Sequence, residues 1–276
     1  MGYHAAHVAA GSGRPRVTAA FILTLATLGF VGAFVSGLVG VGGAIVMIPL
    51  LFYVPPLLAV GSLDIKQVAG VTMAQVLAAS AMGAWTHGRS AMIHRRLALW
   101  GGTAMALGSL AGAVVSRYVA GRLLLIVFAL MATTALVFMF AKPVVPGPAA
   151  SAKTMPFNKA GAICVPGVVG LLSGLVGAGG AFLLMPLLVG VMHVPLRLSI
   201  GTSLAIAGAG ALLGFMGKLA TGQVPLMAAA AVVAGSLPGA SLGAQLSRRA
   251  PVSVLRVVLG GVIALAALRV WIDVLH

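Results

Sequence analysis

The sequence predicts an all-α integral membrane protein built from two homologous halves, and three observations carry that prediction. Of 276 residues, 61% are hydrophobic and 7% charged, where a soluble domain carries about 25% charged residues. Apolar runs of about 20 residues recur along the chain, the length a helix needs to cross a bilayer. The stretch at 36–49, SGLVGVGGAIVMIP, returns at 173–186 as SGLVGAGGAFLLMP, and each copy continues into Leu-Leu. The runs are continuous and rich in Leu, Ala and Gly rather than alternating, which argues against a β-barrel. Helices satisfy their own backbone groups in lipid, so a helical bundle follows.

Taken in order, residues 1–16 are polar and small and read as a flexible N-terminus. The first transmembrane repeat is expected over 17–141. Its apolar segments cover 17–38, 44–60, 66–86, 97–116 and 123–141, with the basic loop holding Arg89, Arg95 and Arg96 between the third and fourth. Arg14 and Arg16 ahead of an apolar stretch resemble a signal peptide. That stretch runs straight into the first glycine motif, so it is read as part of the body and not as a cleaved leader. Residues 142–159 form a linker with four prolines and three lysines. The second repeat covers 160–276, with segments at 160–176, 180–195, 198–217, 225–247 and 252–272. Two further matches support duplication: Thr72 in GVTMAQ with Thr202 in IGTSLA, and GSLAGA at 108–113 with GSLPGA at 235–240. Gly108 and Gly112, four apart, also suit close helix packing.

Each glycine motif breaks an apolar run, because serial glycines weaken a helix by about 1 kcal/mol each relative to alanine. The flanking segments are short. Each pair is expected to form two tilted spans, a re-entrant hairpin, or one helix broken near the midplane, with about three spanning helices completing each half. Irregular backbone at that depth is tolerated where it is buried in protein or lines a cavity. A half-helix starting there aims free N–H groups and a positive dipole at an anion. In this reading Gly40, Gly42, Gly43 and Ala44 in one half, and Gly177, Gly179, Gly180 and Ala181 in the other, shape the binding site. Ser36, Thr72, Ser173, Thr202 and Ser203 add hydroxyl donors. Gln75, one turn after Thr72, either donates to the substrate or bonds between helices. The competing account is that the glycines pack helices and the hydroxyls bond back to their own helix. Loop charges do not decide between inverted and parallel halves. Inversion is the expected arrangement, since it gives alternating access a ready mechanism.

Seventeen Lys and Arg stand against Asp64 and Asp273. The basic residues sit in short loops between apolar runs, which reads as lipid-headgroup contact and an anion-attracting field rather than nucleic-acid binding. Asp64 falls in a loop and Asp273 at the C-terminal end, so no intramembrane carboxylate marks a cation or proton relay. His87 and Lys218 occupy related places in the two halves and are pathway candidates, against an interfacial role for each. The lone Cys164 excludes an internal disulfide and is expected to pack. No Cys/His/Asp/Glu cluster has metal-ligand spacing, no Walker A sequence is present, and no His/Asp pair serves a serine, so neither cofactor nor enzyme activity is expected.

The two copies SGLVGVGGAIVMIPLL (36–51) and SGLVGAGGAFLLMPLL (173–188) resemble the sulfite exporter TauE/SafE family, also called the toluene-sulfonate uptake permeases. GVTMA and GTSLA (70–74 and 201–205), AWTHGR (84–89) and GSLPGASLGAQL (235–246) support the resemblance, which covers residues 18–272. The first half departs from it in having VTM, with Val71 and Met73, where the family tends to have TS. The resemblance implies a multi-pass secondary transporter of the bacterial inner membrane that moves small anions, in several members sulfite or organosulfonates such as sulfoacetate, often outward. H+ or Na+ is then the candidate coupling ion, and a homo-oligomer is compatible with it. A passive anion channel and a non-transporting membrane scaffold remain the alternatives.

Overall fold

A computed structural model describes residues 18–39, 44–87, 94–141, 159–192, 194–247 and 252–275. Among these residues there are ten helices and no strand. They are α1 (Ala19–Val39), α2 (Ala44–Leu57), α3 (Ile65–His87), α4 (Arg95–Val115), α5 (Gly121–Ala141), α6 (Lys159–Val176), α7 (Ala181–Gly190), α8 (Leu196–Ala220), α9 (Leu226–Ser247) and α10 (Val252–Leu275). The expected segments recur within a few residues. Helix starts recur too. Ala44 and Ala181 are 137 residues apart, and Ile65 and Leu196, Arg95 and Leu226, and Gly121 and Val252 are each 131 apart.

Six of these helices, α1, α4, α5, α6, α8 and α9, carry a stretch long and apolar enough to cross a membrane. Leu23, Leu99, Leu107, Leu130 and Leu265 point outward, the placement expected when the surrounding solvent is lipid. Cys164 also lies exposed on α6, not packed as expected. A thiol is small enough to be carried on an apolar outer face at little cost. The two helices that follow the glycine motifs are different. α2 has 14 residues and α7 has 10, or roughly 21 and 15 Å at 1.5 Å per residue, short of a hydrocarbon core of about 30 Å. Both are prolines' territory, with Pro49, Pro55 and Pro56 in α2 and Pro186 in α7. Each starts inside the bundle.

Glycines set how the long helices meet. A Cβ at Gly108 would fall on the Gly167 carbonyl, and one at Gly112 on the Leu171 carbonyl. Gly170 and Gly174 in turn press on Met105 and Ser109. α4 and α6 therefore run parallel in backbone contact, as the small-residue spacing predicts. α1 and α9 do the same, with Gly235 against Ala26 and Gly239 against Phe30. Along α4, Gly101, Met105, Ser109 and Ala113 meet Ile206, Gly210, Gly214 and Gly217 in turn, so α4 is also parallel to α8. By contrast, α3 runs antiparallel to α8: Gly70 lies on Gln223 and Ser80 on Gly208. The apolar core fills the remaining space, with Phe128, Phe182, Met47, Met73 and Met105 among its fully or nearly fully buried side chains.

Candidate functional site

The second glycine motif is built as a tight reversal. The Ser173 carbonyl, near the end of α6, accepts from the N–H of Gly177 at 2.7 Å and of Ala178 at 3.0 Å. Three glycines then take left-handed backbone: Gly177 at φ 80°, Gly179 at 62° and Gly180 at 68°. A side chain is strained at each. Space forbids one as well, since Gly177 is pressed on Ala69, Gly179 on Val76, and Gly180 on Met105, Val169 and Ser173. Gly180 is the N-cap of α7 and offers no side-chain oxygen. Its carbonyl accepts from Leu183 and Leu184 at 3.2 and 2.9 Å, leaving the N–H groups of the first turn to point out of the helix. Everything from 176 to 184 is buried. Met105 is the middle of α4, so α7 begins near half the height of the bundle. A buried, uncapped helix start is a place where an anion is stabilised by N–H groups and the helix dipole.

Gly40, Gly42 and Gly43 lie outside the described residues. Ala44 opens α2 and is buried, and Ser36 is half-buried near the end of α1.

The hydroxyl candidates divide. Thr72 is buried and donates back to Val68 at 2.6 Å and to Ala69 at 3.3 Å. Ser173 donates back to Gly170 at 3.0 Å. In this conformation both protons are committed to their own helices. Thr202 accepts from the His94 N–H at 3.1 Å, which places it at the start of α4, about three turns from the level of Met105. Ser203 is buried beside it. So Ser173, Gly177, Gly179, Gly180 and Ala181 come together, Thr72 is set on the packed face of α3 nearby, and Thr202 is not part of that group. Gln75 is fully buried, and among the described residues neither its amide nitrogen nor its oxygen has a hydrogen-bond partner.

Of the two pathway candidates, the His87 side chain lies outside the described residues. Lys218 is fully buried, because the turn after α8 folds Gln223 over it. Its ammonium donates to Ser116 Oγ at 2.6 Å, to the Leu175 carbonyl at 3.1 Å and to Gln223 Oε1 at 3.1 Å. Ser116 donates to the Ala113 carbonyl at 2.6 Å. The Gln223 amide donates to Ala113 at 3.1 Å and to Thr221 at 2.7 Å. No carboxylate joins this node: Asp64 is exposed in its loop, and Asp273 faces Arg269 at 3.5 Å. Sequence reasoning missed Ser116 and Gln223, which lie 102 and 5 residues from Lys218. It also missed Ser109, whose buried hydroxyl has no partner among the described residues. The long-range fold brings Ser116 and Ser109 to view, and the turn after α8 brings Gln223. Among the described residues no group of His, Cys, Asp or Glu is placed to hold a metal.

Comparison with known proteins agrees with this architecture. The family description "Sulfite exporter TauE/SafE" matches residues 25–270. A "Probable membrane transporter protein" of Xylella fastidiosa (strain Temecula1 / ATCC 700964) is 30% identical over 259 residues, which is 91% of this chain and 95% of the relative. One from Xylella fastidiosa (strain 9a5c) is 30% identical over 83% of this chain and 85% of its own. "Probable membrane transporter protein YdhB" of Bacillus subtilis (strain 168) is 26% identical over 82% of this chain and 91% of its own. No solved structure matches significantly. The chain is therefore a multi-pass membrane protein of the sulfite exporter TauE/SafE family.

Proposed function

We propose that the protein is a secondary transporter that exports small anions, above all sulfite or organosulfonates such as sulfoacetate, across the bacterial inner membrane. Family membership and the relatives' names carry the coarser statement, that it is a membrane transporter. The observation that carries the finer one is the buried left-handed glycine turn at 177–180, which starts α7 uncapped at half the height of the bundle. The first copy of the motif, SGLVGVGGAIVMIP at 36–49, supplies the other half of the site, and access alternates between the two sides as the halves rock.

Duplication is supported by the recurring helix starts and by the packing. Phe30 lies 137 residues before Gly167, the spacing of the glycine motifs. Gly239 rests on the first and Gly108 on the second. In this register Gly108 answers to Gly239, one turn beyond the local match with Gly235, and Thr72 answers to Ser203 rather than Thr202. Inversion is supported by α3 and α8, counterparts in the same register, running antiparallel. An odd number of helices per half turns the second half over, as alternating access needs.

The test is thermal unfolding of the purified protein with sulfite, sulfate, thiosulfate, sulfoacetate, taurine, acetate or chloride at matched ionic strength. A ligand at 100 times its dissociation constant stabilises the fold by about 2.7 kcal/mol. The expected result is a shift confined to sulfur oxyanions, lost in Gly180→Leu, where a side chain meets both the positive φ and Met105. Equal silence from all seven anions overturns the anion reading. A full shift retained in a folded Gly180→Leu protein moves the site away from the turn.

A further inference from the structure

We infer that Lys218 is the gate on one side of the glycine turn: an anion passing that end of the bundle is met by the buried ammonium, which exchanges its neutral acceptors for the anion. This rests on the anion-transport reading above. The first ground is charge. Lys218 is wholly buried, and its three acceptors are a hydroxyl, a carbonyl and an amide oxygen, all neutral. A buried cation without a counter-charge is costly, and an anion is a stronger hydrogen-bond partner for it than any neutral acceptor.

Place is the second ground. Leu175, whose carbonyl it holds, is two residues before Gly177. Ser116 closes α4, and Gln223 lies in the turn between α8 and α9. The node thus ties the C-terminal ends of α4, α6 and α8 together where the chain enters the glycine turn. Around it the helices nearly touch, with Gly112 on Leu171 and Gly217 on Ala113.

The third ground is that the node survives without the lysine. Ser116 keeps its bond to Ala113, and Gln223 keeps its bonds to Ala113 and Thr221. Ser116 Oγ, Gln223 Oε1 and the Leu175 carbonyl each give up the ammonium, while the bonds that hold the two side chains in place remain. A lysine on a flexible stem with three rotatable donors is suited to such a swing.

The experiment uses the full chain in proteoliposomes with sulfite as probe, measuring binding by thermal shift and transport by initial flux. Lys218→Gln keeps a hydrogen-bond donor and removes the charge; Lys218→Arg keeps the charge. The gate predicts that Lys218→Gln binds sulfite within about threefold of the parent while its flux falls at least about tenfold, and that Lys218→Arg recovers part of the flux. Parental flux in Lys218→Gln would show the node to be structural only and overturn the gate. Binding lost in step with flux would overturn it too, placing Lys218 in the binding site itself. If the parent protein neither binds nor moves sulfite while Lys218→Gln is folded, it is the anion reading that fails, and the gate fails with it.

Discussion

Two buried polar regions of this bundle are solved in opposite ways. At Lys218, the ammonium donates to three acceptors, and both side-chain acceptors are themselves held by further bonds. At Gln75 and Ser109 the side chains are equally buried, yet among the described residues no partner reaches them. A hydrogen bond contributes a net 0.5–1.5 kcal/mol or so, while a buried group left without one costs about 1–3 kcal/mol. The contrast teaches that burial alone does not identify function here. The lysine node is a finished piece of structure that can be undone. The glutamine and serine are polar groups held at a cost, and such a group calls for an explanation. On the anion-transport reading, the explanation is a solute that enters the bundle.

The strongest way to break the comparison is to damage the satisfied region. Gln223→Leu removes the Oε1 acceptor of Lys218 and both amide bonds to Ala113 and Thr221. Stability should fall by about 1–3 kcal/mol, seen as a lower unfolding midpoint in detergent. Adding Lys218→Met should recover part of the loss, because the charge left short of partners is then gone. Failure of the double variant to recover would mean that Gln223 acts through packing of the turn and not through the ammonium.

Gln75→Leu should do the reverse. Nothing in the bundle loses a partner, and an apolar side chain of similar size replaces an unpaired amide, so stability should hold or rise by up to about 1 kcal/mol. The anion-induced shift should shrink in the same protein. Destabilisation as large as that of Gln223→Leu would erase the distinction between the two regions, and Gln75 would then be an interhelical tie.

Much of the fold was legible because lipid imposes a simple rule. A span must be apolar and helical, so composition and run length placed nearly every segment within a few residues of a helix. The glycine motif at 173–186 was legible for a related reason, since only glycine allows the backbone of Gly177, Gly179 and Gly180. Lys218 was harder to read. A lysine near the end of an apolar segment usually reaches the interface, and what buries this one is Gln223 and Ser116, on another turn and another helix. On the duplication reading, the helix starts spaced by 131 pair Gly108 with Gly239 and not with Gly235; strings of small residues look alike every four positions, so a local match alone does not fix the register. For the hydroxyls, sequence names the residue but not the direction of its proton.

That direction is the subject of the smallest effect. Thr72 donates to Val68 and Ala69, carbonyls that the helix ladder already serves, so Thr72→Val should change stability by no more than about 0.5 kcal/mol. Ser173→Ala should behave alike, since the carbonyl of Ser173, and not its hydroxyl, closes the glycine turn. The informative quantity is the sulfite-induced shift in these two proteins. An unchanged shift means the back-bonded geometry persists with the anion bound, and the backbone N–H groups of α7 carry recognition alone. A reduced shift at constant stability means the hydroxyls turn toward the anion, and the conformation with both protons committed to their helices is the one that waits for it.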